Sequence, residues 1–349
     1  LLDDATRKEV NGLLAYAEDD AGGLMNPRYI RVRPDMSVDE AITYLRRQAT
    51  DHIGALNYAY AIDLEQKLRG IVSFRQLLAA KPEQKVSEIM QTDLVTVPEK
   101  MDQEDLSRLF ATYRLVAFPV VDEQGHMKGI VTLDDIVDVV REEATEDIQK
   151  IGGTAALDAP YLRIGILGMI KKRAGWLAVL FLGESLTAVA MGYFEAEIAR
   201  AVILALFVPL VISSGGNSGG QATTLVIRAM ALGEVKLRDW WRVIRREIFT
   251  GLGLGLILAA IGLARIVVWQ ALFHTYGPHH LRIALTVASS LVGVVLWGTV
   301  VGSMLPFILR RLGADPASAS APFVATLVDV TGLIIYFTMA KIILSGTLL

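Results

Sequence analysis

The chain has 349 residues, of which 53% are hydrophobic and 20% charged, and its formal charge at neutral pH is −3. Its mean hydropathy of +0.43 is too high for an ordinary soluble protein, while its charged fraction is too high for a protein made only of membrane helices. The absence of cysteine excludes disulfides and thiolate metal sites, and the small net charge does not indicate a nucleic-acid partner. The composition therefore predicts two unlike halves, which we expect to meet near residue 172.

The first half contains an internal repeat. Residues 24–46 resemble residues 89–110, and GIVSFRQLL (70–78) resembles GIVTLDDIV (129–137). In each copy the apolar spacing and the turn residues predict a strand, a helix, two strands and a second helix. The repetition predicts two small domains that pack as a pair.

The second copy contains a predicted β-hairpin, AFPVVDEQGHMKGIVTL (117–133), whose turn is set by Asp122 and Gly125. With this hairpin in place, the repeat resembles the tandem CBS (Bateman) module over residues 24–145. The resemblance implies an α+β fold for the first half of the chain.

A nucleotide-binding pattern is present in one of the two copies. In the CBS family a Gly-x-x-Thr/Ser-x-x-Asp pattern can bind adenosine nucleotides, with the aspartate on the ribose and the hydroxyl near the phosphate. The second copy matches it with Gly129, Thr132 and Asp135, whereas the first copy has Gln76 in place of the acid. The resemblance implies a site for ATP or another adenosine nucleotide at the CBS pair. The alternative is a dimerisation module that binds no nucleotide.

An acidic linker follows the repeat. Residues 133–153 (LDDIVDVVREEATEDIQKIGG) predict a helix that ends at Gly152 and Gly153. Its carboxylates, several of them four residues apart, are Asp134, Asp135, Asp138, Glu142, Glu143, Glu146 and Asp147. Like charges at this spacing destabilise a helix by about 0.2–0.5 kcal/mol per pair, so we expect cations or a basic partner to neutralise them. Oxygen ligands suit hard cations such as Mg²⁺ and Ca²⁺, and the alternative is a solvated acidic face.

The second half contains five apolar stretches long enough to cross a hydrocarbon layer of about 30 Å. We place these spans at residues 174–194, 201–227, 248–272, 283–309 and 322–346. Lysine and arginine gather before the first span, between the second and third, and after the fourth, whereas residues 195–199 and 273–281 on the opposite side contain none. Because such an excess marks the cytoplasmic side, we expect the first half in the cytoplasm and the C-terminus outside.

Charged residues inside these spans include Glu184, Arg265 and Asp329. A charge at mid-bilayer costs about 2.5–3.5 kcal/mol on insertion scales, so each is a functional candidate. Arg265 can snorkel to the interface, and Glu184 can pair with Arg265 or with a helix end. Asp329 differs because Ala325 lies four residues earlier on the same helix face and small residues follow it. The alternative for Asp329 is a carboxylate that is hydrogen-bonded inside the helix bundle.

The second span is rich in small and polar residues. Its segment PLVISSGGNSGGQATTLVIRA (209–229) contains a proline, four glycines and Asn217. Irregular backbone at membrane depth is tolerated only where it is buried in protein or lines a water-filled path. We therefore interpret the segment as a broken helix beside a cation pathway. The alternative is close helix packing through small residues.

These parts together resemble the MgtE family of magnesium channels over residues 20–349. The matching pieces are the CBS pair, EEATEDIQKIGG in the linker, PLVISSGGNSGGQATTL in the second span, and LPFILRRLGADPASASAPFVATLVDVTGLIIYF leading into the fifth. The resemblance implies a homodimer in the lipid bilayer, with the pore on the two-fold axis between the second and fifth spans. Asp329 matches the family's pore acid and Ala325 the position whose backbone carbonyl assists it, and we add Asn217 to this pore site.

The resemblance also implies how the pore is controlled. The acids of the linker match positions that hold Mg²⁺ between the cytoplasmic domains and the linker helices of the family. When cytoplasmic Mg²⁺ rises, ions bridge these acids and the pore closes. When it falls, repulsion between the carboxylates spreads the helices.

The beginning of the chain departs from the family pattern. Members usually carry an acidic helical domain before the CBS pair, of which only residues 3–25 resemble a remnant. The chain starts Leu1-Leu2, without a methionine and without a signal-peptide pattern. We expect an artificial start or the removal of a longer N-terminal part.

The expected architecture is multidomain: an α+β tandem CBS module, a long linker helix and an all-α transmembrane domain of five helices. The expected boundaries are 1–23 for the N-terminal remnant, 24–86 for CBS domain 1, 87–133 for CBS domain 2, 134–153 for the acidic linker (plug) helix, and 154–349 for the transmembrane domain.

The sequence predicts a Mg²⁺-selective channel or transporter for magnesium uptake in the inner cell membrane, closed by cytoplasmic Mg²⁺. Within transport, the alternatives are a coupled exchanger and a channel for Co²⁺ or Mn²⁺. The alternatives of another class are a CBS-regulated membrane enzyme and a sensor that conducts nothing. The chain has no His-Glu-x-x-His or Gly-x-Ser-x-Gly motif, so we expect no catalytic residues.

Overall fold

The computed structural model of the protein describes residues 4–48 and 57–348. The chain divides into two compact units, residues 1–144 and 145–349. The first unit contains both helices and strands. In the described part of the second unit all regular secondary structure is helical.

The described residues of the first unit form six short strands and the helices between them. In chain order its elements are α1 (Asp4–Leu13), α2 (Ala21–Leu24), β1 (Arg31–Val32), α3 (Val38–Gln48), β2 (Tyr58–Ile62), β3 (Leu68–Ser73), α4 (Phe74–Ala79), α5 (Val86–Ile89), β4 (Val97–Pro98), α6 (Gln103–Tyr113), β5 (Ala117–Val121), β6 (Met127–Thr132) and α7 (Leu133–Ile151), the last of which continues into the second unit.

The strands form two three-stranded sheets with the same topology. In each sheet the first strand is parallel to the second and the second is antiparallel to the third, in the orders β1-β2-β3 and β4-β5-β6. Both hairpins also shift register near their turn, between Ala61 and Ile62 and between Val120 and Val121. The matching topology confirms the predicted internal repeat and its CBS fold.

Each sheet packs against its own helices through apolar side chains. Phe118 and Leu106 are fully buried in the second repeat, and Leu77 is almost fully buried in the first. The rings of Phe110 and Phe118 meet edge to face, with 4.7 Å between their centroids. Burying one such side chain stabilises the fold by about 1.5–3 kcal/mol, so each repeat has a hydrophobic core of its own.

The β5–β6 hairpin has the predicted turn. Oδ1 of Asp122 accepts hydrogen bonds from the backbone N–H groups of Gln124 and His126, both 2.9 Å long. Gly125 has φ +84°, a left-handed conformation that favours glycine. The hairpin and the roles of Asp122 and Gly125 are therefore confirmed.

The second unit contains the long helices. They are α8 (Ile166–Tyr193), α9 (Glu195–Arg200), α10 (Val208–Ala231), α11 (Trp240–Phe273), α12 (His280–Arg311) and α13 (Ala321–Leu344), with short 3₁₀ helices at Val202–Phe207, Leu237–Asp239 and Pro316–Ser318. Within the described residues, five helical segments are long and apolar enough to cross a membrane. The predicted five-helix membrane domain is thus confirmed, and α8 and α11 begin eight residues earlier than the predicted spans.

The glycine-rich second span is one continuous helix, so the predicted break is wrong. Pro209 lies in the first turn of α10, where a missing N–H interrupts no hydrogen bond. A Cβ atom added to Gly298 of α12 would lie 2.3 Å from the carbonyl oxygen of Gly215. One added to Gly302 would lie 2.1 Å from the carbonyl oxygen of Gly219. The glycines therefore bring two helix backbones into contact, as in the alternative given above.

Buried hydroxyl groups reinforce this contact between α10 and α12. The hydroxyls of Ser218 and Thr299 lie 2.7 Å apart, and the Thr223 hydroxyl donates to the carbonyl of Gly302 over 2.7 Å. Such hydrogen bonds add to helix association in an apolar surrounding. The face of α10 that carries these residues is closed to water and ions.

Candidate cation site

The start of α13 determines where Asp329 lies. Ser320 caps this helix, since its hydroxyl accepts a 3.3 Å hydrogen bond from the N–H of Phe323, and Pro322 occupies the first turn. The indole N–H of Trp176 donates to the same hydroxyl over 3.1 Å, which joins α8 to this end of α13. Asp329 follows about two turns into the helix and is half-buried.

Three helices, α8, α10 and α13, line a groove of about 1140 Å³. Asp329, Ala325 and Asn217, the residues predicted for the pore, all lie along it. Its polar lining residues are Glu184, Thr187, Ser213, Asn217, Gln221, Thr224 and Asp329. We call this space the α8–α10–α13 groove.

The backbone of α10 passes close to the acid. A Cβ atom added to Gly216 would lie 3.3 Å from Cβ of Ala325 and 3.7 Å from Oδ1 of Asp329. A Cβ atom added to Gly220 would likewise lie 3.3 Å from Cβ of Ala321. Glycine at these positions lets α10 approach α13 while the carboxylate of Asp329 remains at the groove.

The carboxylate of Asp329 makes no hydrogen bond or ion pair with any residue in 4–48 or 57–348. A carboxylate that is half-buried among membrane helices is costly unless water, a cation or another polar group compensates it. The alternative of a carboxylate hydrogen-bonded inside the bundle is therefore not found within the described part of one chain. The groove offers space for a hydrated cation beside Asp329.

Glu184 and Arg265 do not pair, so that part of the prediction is wrong. The guanidinium of Arg265 lies 5.9 Å from the ring centres of both Phe207 and Trp269. Cation–π contacts of this kind hold a cation against aromatic rings. Neither Glu184 nor Arg265 has an ion-pair partner in the described parts of the chain, and the side chain of Glu184 is exposed along the groove.

The polar side of α10 was only partly found from the sequence. Ser213, Gln221 and Thr224 line the groove together with Asn217. Positions 213, 217, 221 and 224 recur at helical spacing, so they lie on one face of α10. This periodicity was the available signal, and the interpretation of the segment as a broken helix concealed it.

The acids predicted to sense Mg²⁺ are distributed along α7. Asp135 accepts hydrogen bonds from the backbone N–H and the hydroxyl of Thr132, at 3.1 and 2.6 Å. Glu143 accepts a 2.5 Å hydrogen bond from the side-chain amide of Gln103. Oδ1 of Asp138 lies 4.0 Å from Nη1 of Arg141. The other predicted sensor acids on this helix are Asp134, Glu142, Glu146 and Asp147. Within the described residues of one chain, no group of three or more His, Asp or Glu side chains has an arrangement that could hold a metal ion.

The last turn of α7 carries a paired lysine. The ammonium group of Lys150 contacts Glu146 one turn earlier and Oδ2 of Asp315 at 2.6 Å. Partial burial lowers the pKa of Lys150, but the two carboxylates outweigh it and hold the pKa above its usual range. Lys150 therefore neutralises part of the acidic linker within the chain.

The predicted nucleotide residues lie where β6 meets α7. Thr132 and Asp135 are joined by the hydrogen bonds described above, and Asp135 also belongs to the predicted sensor acids. A Cβ atom added to Gly129 would lie 2.8 Å from the carbonyl oxygen of Asn26, so this glycine allows a backbone approach within the CBS module. In the first repeat, Ser73 and Gln76 form a helix capping box instead.

A tandem CBS module joined to five candidate membrane helices, with an unpaired acid in a polar groove, indicates a membrane transporter of cations with a cytoplasmic CBS part. A family model described as a divalent cation transporter, MgtE, matches residues 208–339, and the CBS domain model matches residues 21–83 and 86–142. The magnesium transporter MgtE of Thermus thermophilus is 43% identical over 346 residues, which are 99% of this chain and 75% of that protein. The magnesium transporter MgtE of Enterococcus faecalis is 32% identical over 334 residues, which are 95% of this chain and 71% of that protein. The chain belongs to the MgtE family of magnesium transporters.

Two further similarities concern the CBS part alone. Inosine-5'-monophosphate dehydrogenase of Aquifex aeolicus is 30% identical over 135 residues, which are 38% of this chain and 26% of that enzyme, within the CBS region. A crystal structure of the cytosolic domain of the Mg²⁺ channel MgtE in complex with ATP is 46% identical, with a TM-score of 0.39, and covers 40% of this chain and 55% of that one. The relatives that match nearly the whole of this chain are named as transporters. The similarity to an enzyme concerns the CBS region alone and does not indicate that this chain is an enzyme.

Proposed function

We propose that this protein is a Mg²⁺-selective uptake channel of the inner membrane, and that it works as a homodimer with its C-terminus outside. In this proposal the groove of each chain forms one side of the pore, and two Asp329 carboxylates face each other across the two-fold axis. One hydrated Mg²⁺ passes between them. The observation that carries the proposal is the unpartnered carboxylate of Asp329 in a polar groove among membrane helices.

The chemistry of the groove suits an ion that keeps its water. Mg²⁺ dehydrates reluctantly, so carboxylates hold it best through its water shell. Asp329 supplies charge, and the carbonyl of Ala325 and the amide oxygen of Asn217 can accept hydrogen bonds from coordinated water. The groove is wide enough for an ion with its waters, whereas the glycine face of α10 is closed.

The orientation proposed for the chain in the membrane rests on the lysine and arginine residues next to its spans. They lie at 171–173, 228–246 and 310–311, and the positive-inside rule puts these connections on the cytoplasmic side of the membrane. Five crossings then bring the end of α13 to the outside. Epitope tags at the two termini, tested for accessibility in intact cells, check this orientation.

The pore assignment is tested by Mg²⁺ flux through Asp329→Asn in reconstituted vesicles, with electrical recording to separate a channel from a coupled exchanger. We expect flux to fall more than tenfold, because the variant removes the only full charge that α13 presents to the groove. Asp158→Asn is the matched control, since Asp158 pairs with Lys172 in an exposed connection. Wild-type flux through folded Asp329→Asn would overturn the assignment, and Co²⁺ or Mn²⁺ passing in preference to Mg²⁺ would overturn the selectivity.

We also propose that the acids of α7 form the Mg²⁺ sensor that closes the pore. Their spacing creates repulsion that divalent ions relieve, and ions held between neighbouring acids would change the position of the helix. Neutralising Glu143, Glu146 and Asp147 together should leave the flux less inhibited by high cytoplasmic Mg²⁺. Unchanged inhibition would assign the sensor elsewhere.

Adenosine-nucleotide binding at the CBS pair is a separate proposal. It rests on Gly129, Thr132 and Asp135, whose hydroxyl and carboxylate lie side by side at the end of β6. Titration of the protein with ATP, compared with Asp135→Ala, tests it. Equal affinity in the two proteins would remove Asp135 from the site.

A further inference from the structure

The groove contains a second carboxylate, that of Glu184 in α8. Glu184 and Asp329 line the same space from different helices. Across residues 4–48 and 57–348, Glu184 has no hydrogen-bond or ion-pair partner, and Arg265, the basic residue considered as its partner, lies against aromatic rings. A second unpaired acid therefore remains to be explained.

The packing of α8 on α13 fixes the level of Glu184 along the groove. The two helices run in the same direction. Near their beginnings Trp176 donates its hydrogen bond to Ser320, and further along the rings of Phe194 and Phe337 stack with 5.1 Å between their centroids. Between these contacts, a Cβ atom added to Gly183 would lie 2.8 Å from Cγ2 of Thr326. Glu184 is thus near the level of Leu327, about 3 Å along the helix axis from Asp329 toward the start of α13.

A polar atom on the same face of α8 also lacks a partner. The hydroxyl oxygen of Thr187 is buried and has no hydrogen bond within the described structure, and Thr187 lines the groove. Residues three apart lie on one helix face, so this hydroxyl is beside Glu184. A buried hydroxyl without a partner is costly, and rotation of the Thr187 side chain to another rotamer would turn this hydroxyl toward water carried by an ion in the groove.

We propose that Glu184 is a second acid of the ion path, which attracts a hydrated divalent cation close to the level of Asp329, and that Thr187 binds the water shell of that ion. This inference rests on the proposed function, because it adds to the site assigned to Asp329. Glu184 and Asp329 repel each other when the groove holds no cation, since their charges act across the same space. A divalent cation relieves this repulsion more strongly than a monovalent one. The first span thereby contributes to ion selectivity.

The test measures Mg²⁺ uptake into vesicles as a function of Mg²⁺ concentration, with and without K⁺ as a competitor, for Glu184→Gln. Attraction between a carboxylate and a divalent ion across about 6 Å of water corresponds to about a tenfold change in affinity. We therefore expect the half-saturating Mg²⁺ concentration to rise about tenfold and K⁺ to compete more strongly. Glu184→Asp keeps the charge and should restore most of the affinity.

The matched control is Glu247→Gln, the same change at an acid of α11 that does not line the groove. Thr187→Val should weaken Mg²⁺ uptake in the same direction by a smaller factor, and it tests the site independently if Glu184→Gln does not fold. If folded Glu184→Gln takes up Mg²⁺ with the same concentration dependence as wild type, the proposal is overturned. That result would mean that the Glu184 side chain faces lipid rather than the ion. If flux is lost in Asp329→Asn at the same time, the pore assignment stands and only the role of Glu184 fails.

Discussion

The interiors of the two halves are built in different ways. In the CBS half, large side chains such as Phe118 and Leu106 fill the space between sheet and helix. In the membrane half, α10 and α12 meet through Gly215, Gly219 and their glycine partners, with backbone against backbone. Some large apolar residues of that half, such as Phe207 and Phe337, are buried, but others, such as Phe181, lie outside with 73% of the residue exposed.

The difference follows from the two solvents. Water drives apolar side chains into the CBS interior, because burying their surface is favourable. Lipid is as apolar as leucine, so it supplies no such force, and membrane helices associate through close contact and hydrogen bonds. One chain thus follows two sets of packing rules, and substitutions can tell them apart.

The largest effect is expected from Gly302→Ala. The added methyl group would lie 2.1 Å from the carbonyl oxygen of Gly219, and a backbone atom cannot move aside as a side chain can. Overpacking usually costs about 1–3 kcal/mol, and we expect about 3 kcal/mol or more here, with loss of the folded protein from membranes. Gly253→Ala in α11 is the control, since nothing lies within 4 Å of its added Cβ atom. Equal thermal stability of the two variants in detergent would contradict the close-contact model.

A smaller effect is expected in the CBS half from Asp122→Asn. Partial burial favours the protonated form of Asp122, but hydrogen bonds from His126, Lys128 and the turn backbone outweigh it and hold the pKa well below its usual range. The variant should lower the free energy of unfolding by about 1–2 kcal/mol at pH 7. Glu123→Gln, at an exposed neighbour, should have no effect.

The pH dependence of Asp122 has a definite sign. Its folded-state pKa is lowered, so the folded protein binds this proton less readily than the unfolded chain does. The stabilisation is fully present above the unfolded pKa, about 4, and is lost as the pH falls toward the folded value. The difference between wild type and Asp122→Asn, measured by thermal unfolding, should therefore shrink below about pH 4. A constant difference would exclude the charge as its cause.

The smallest effect is expected from Ser218→Ala. It removes the buried hydroxyl pair between α10 and α12, while Thr299 keeps its hydrogen bond to the carbonyl of Val295. We expect a loss of about 1 kcal/mol, seen as a lower melting temperature. Ser185→Ala, at an exposed hydroxyl of α8, is the control. A loss as large as that of Gly302→Ala would mean that polar contacts, rather than close packing, hold these helices.

Most of the fold could be predicted from the sequence because its signals are local. The tandem repeat, the turn at Asp122 and Gly125 and the number of apolar helices depend on residues that are close in the chain. The interpretation of segment 209–229 failed because glycine is compatible both with a helix break and with a close helix contact. Only the facing glycines of α12 decide between them, and they lie some 80 residues away.

The candidate site was predicted in part. Asp329 and Ala325 matched family positions, Asn217 was added from the polar second span, and all three line one groove. Glu184 was noticed as an acid in a span, but the pairing with Arg265, one of the two structural roles offered for it, is not found. Whether an acid faces a groove, a cation or lipid depends on helix rotation, which a single sequence does not specify.

The glycine contact has a mechanical consequence. Where backbones touch, no rotatable side chain lies between two helices to absorb a shift of one against the other. The pair α10 and α12 is therefore expected to behave as a single stiff body. A change in the width of the groove would then come from displacement of α8 or α13.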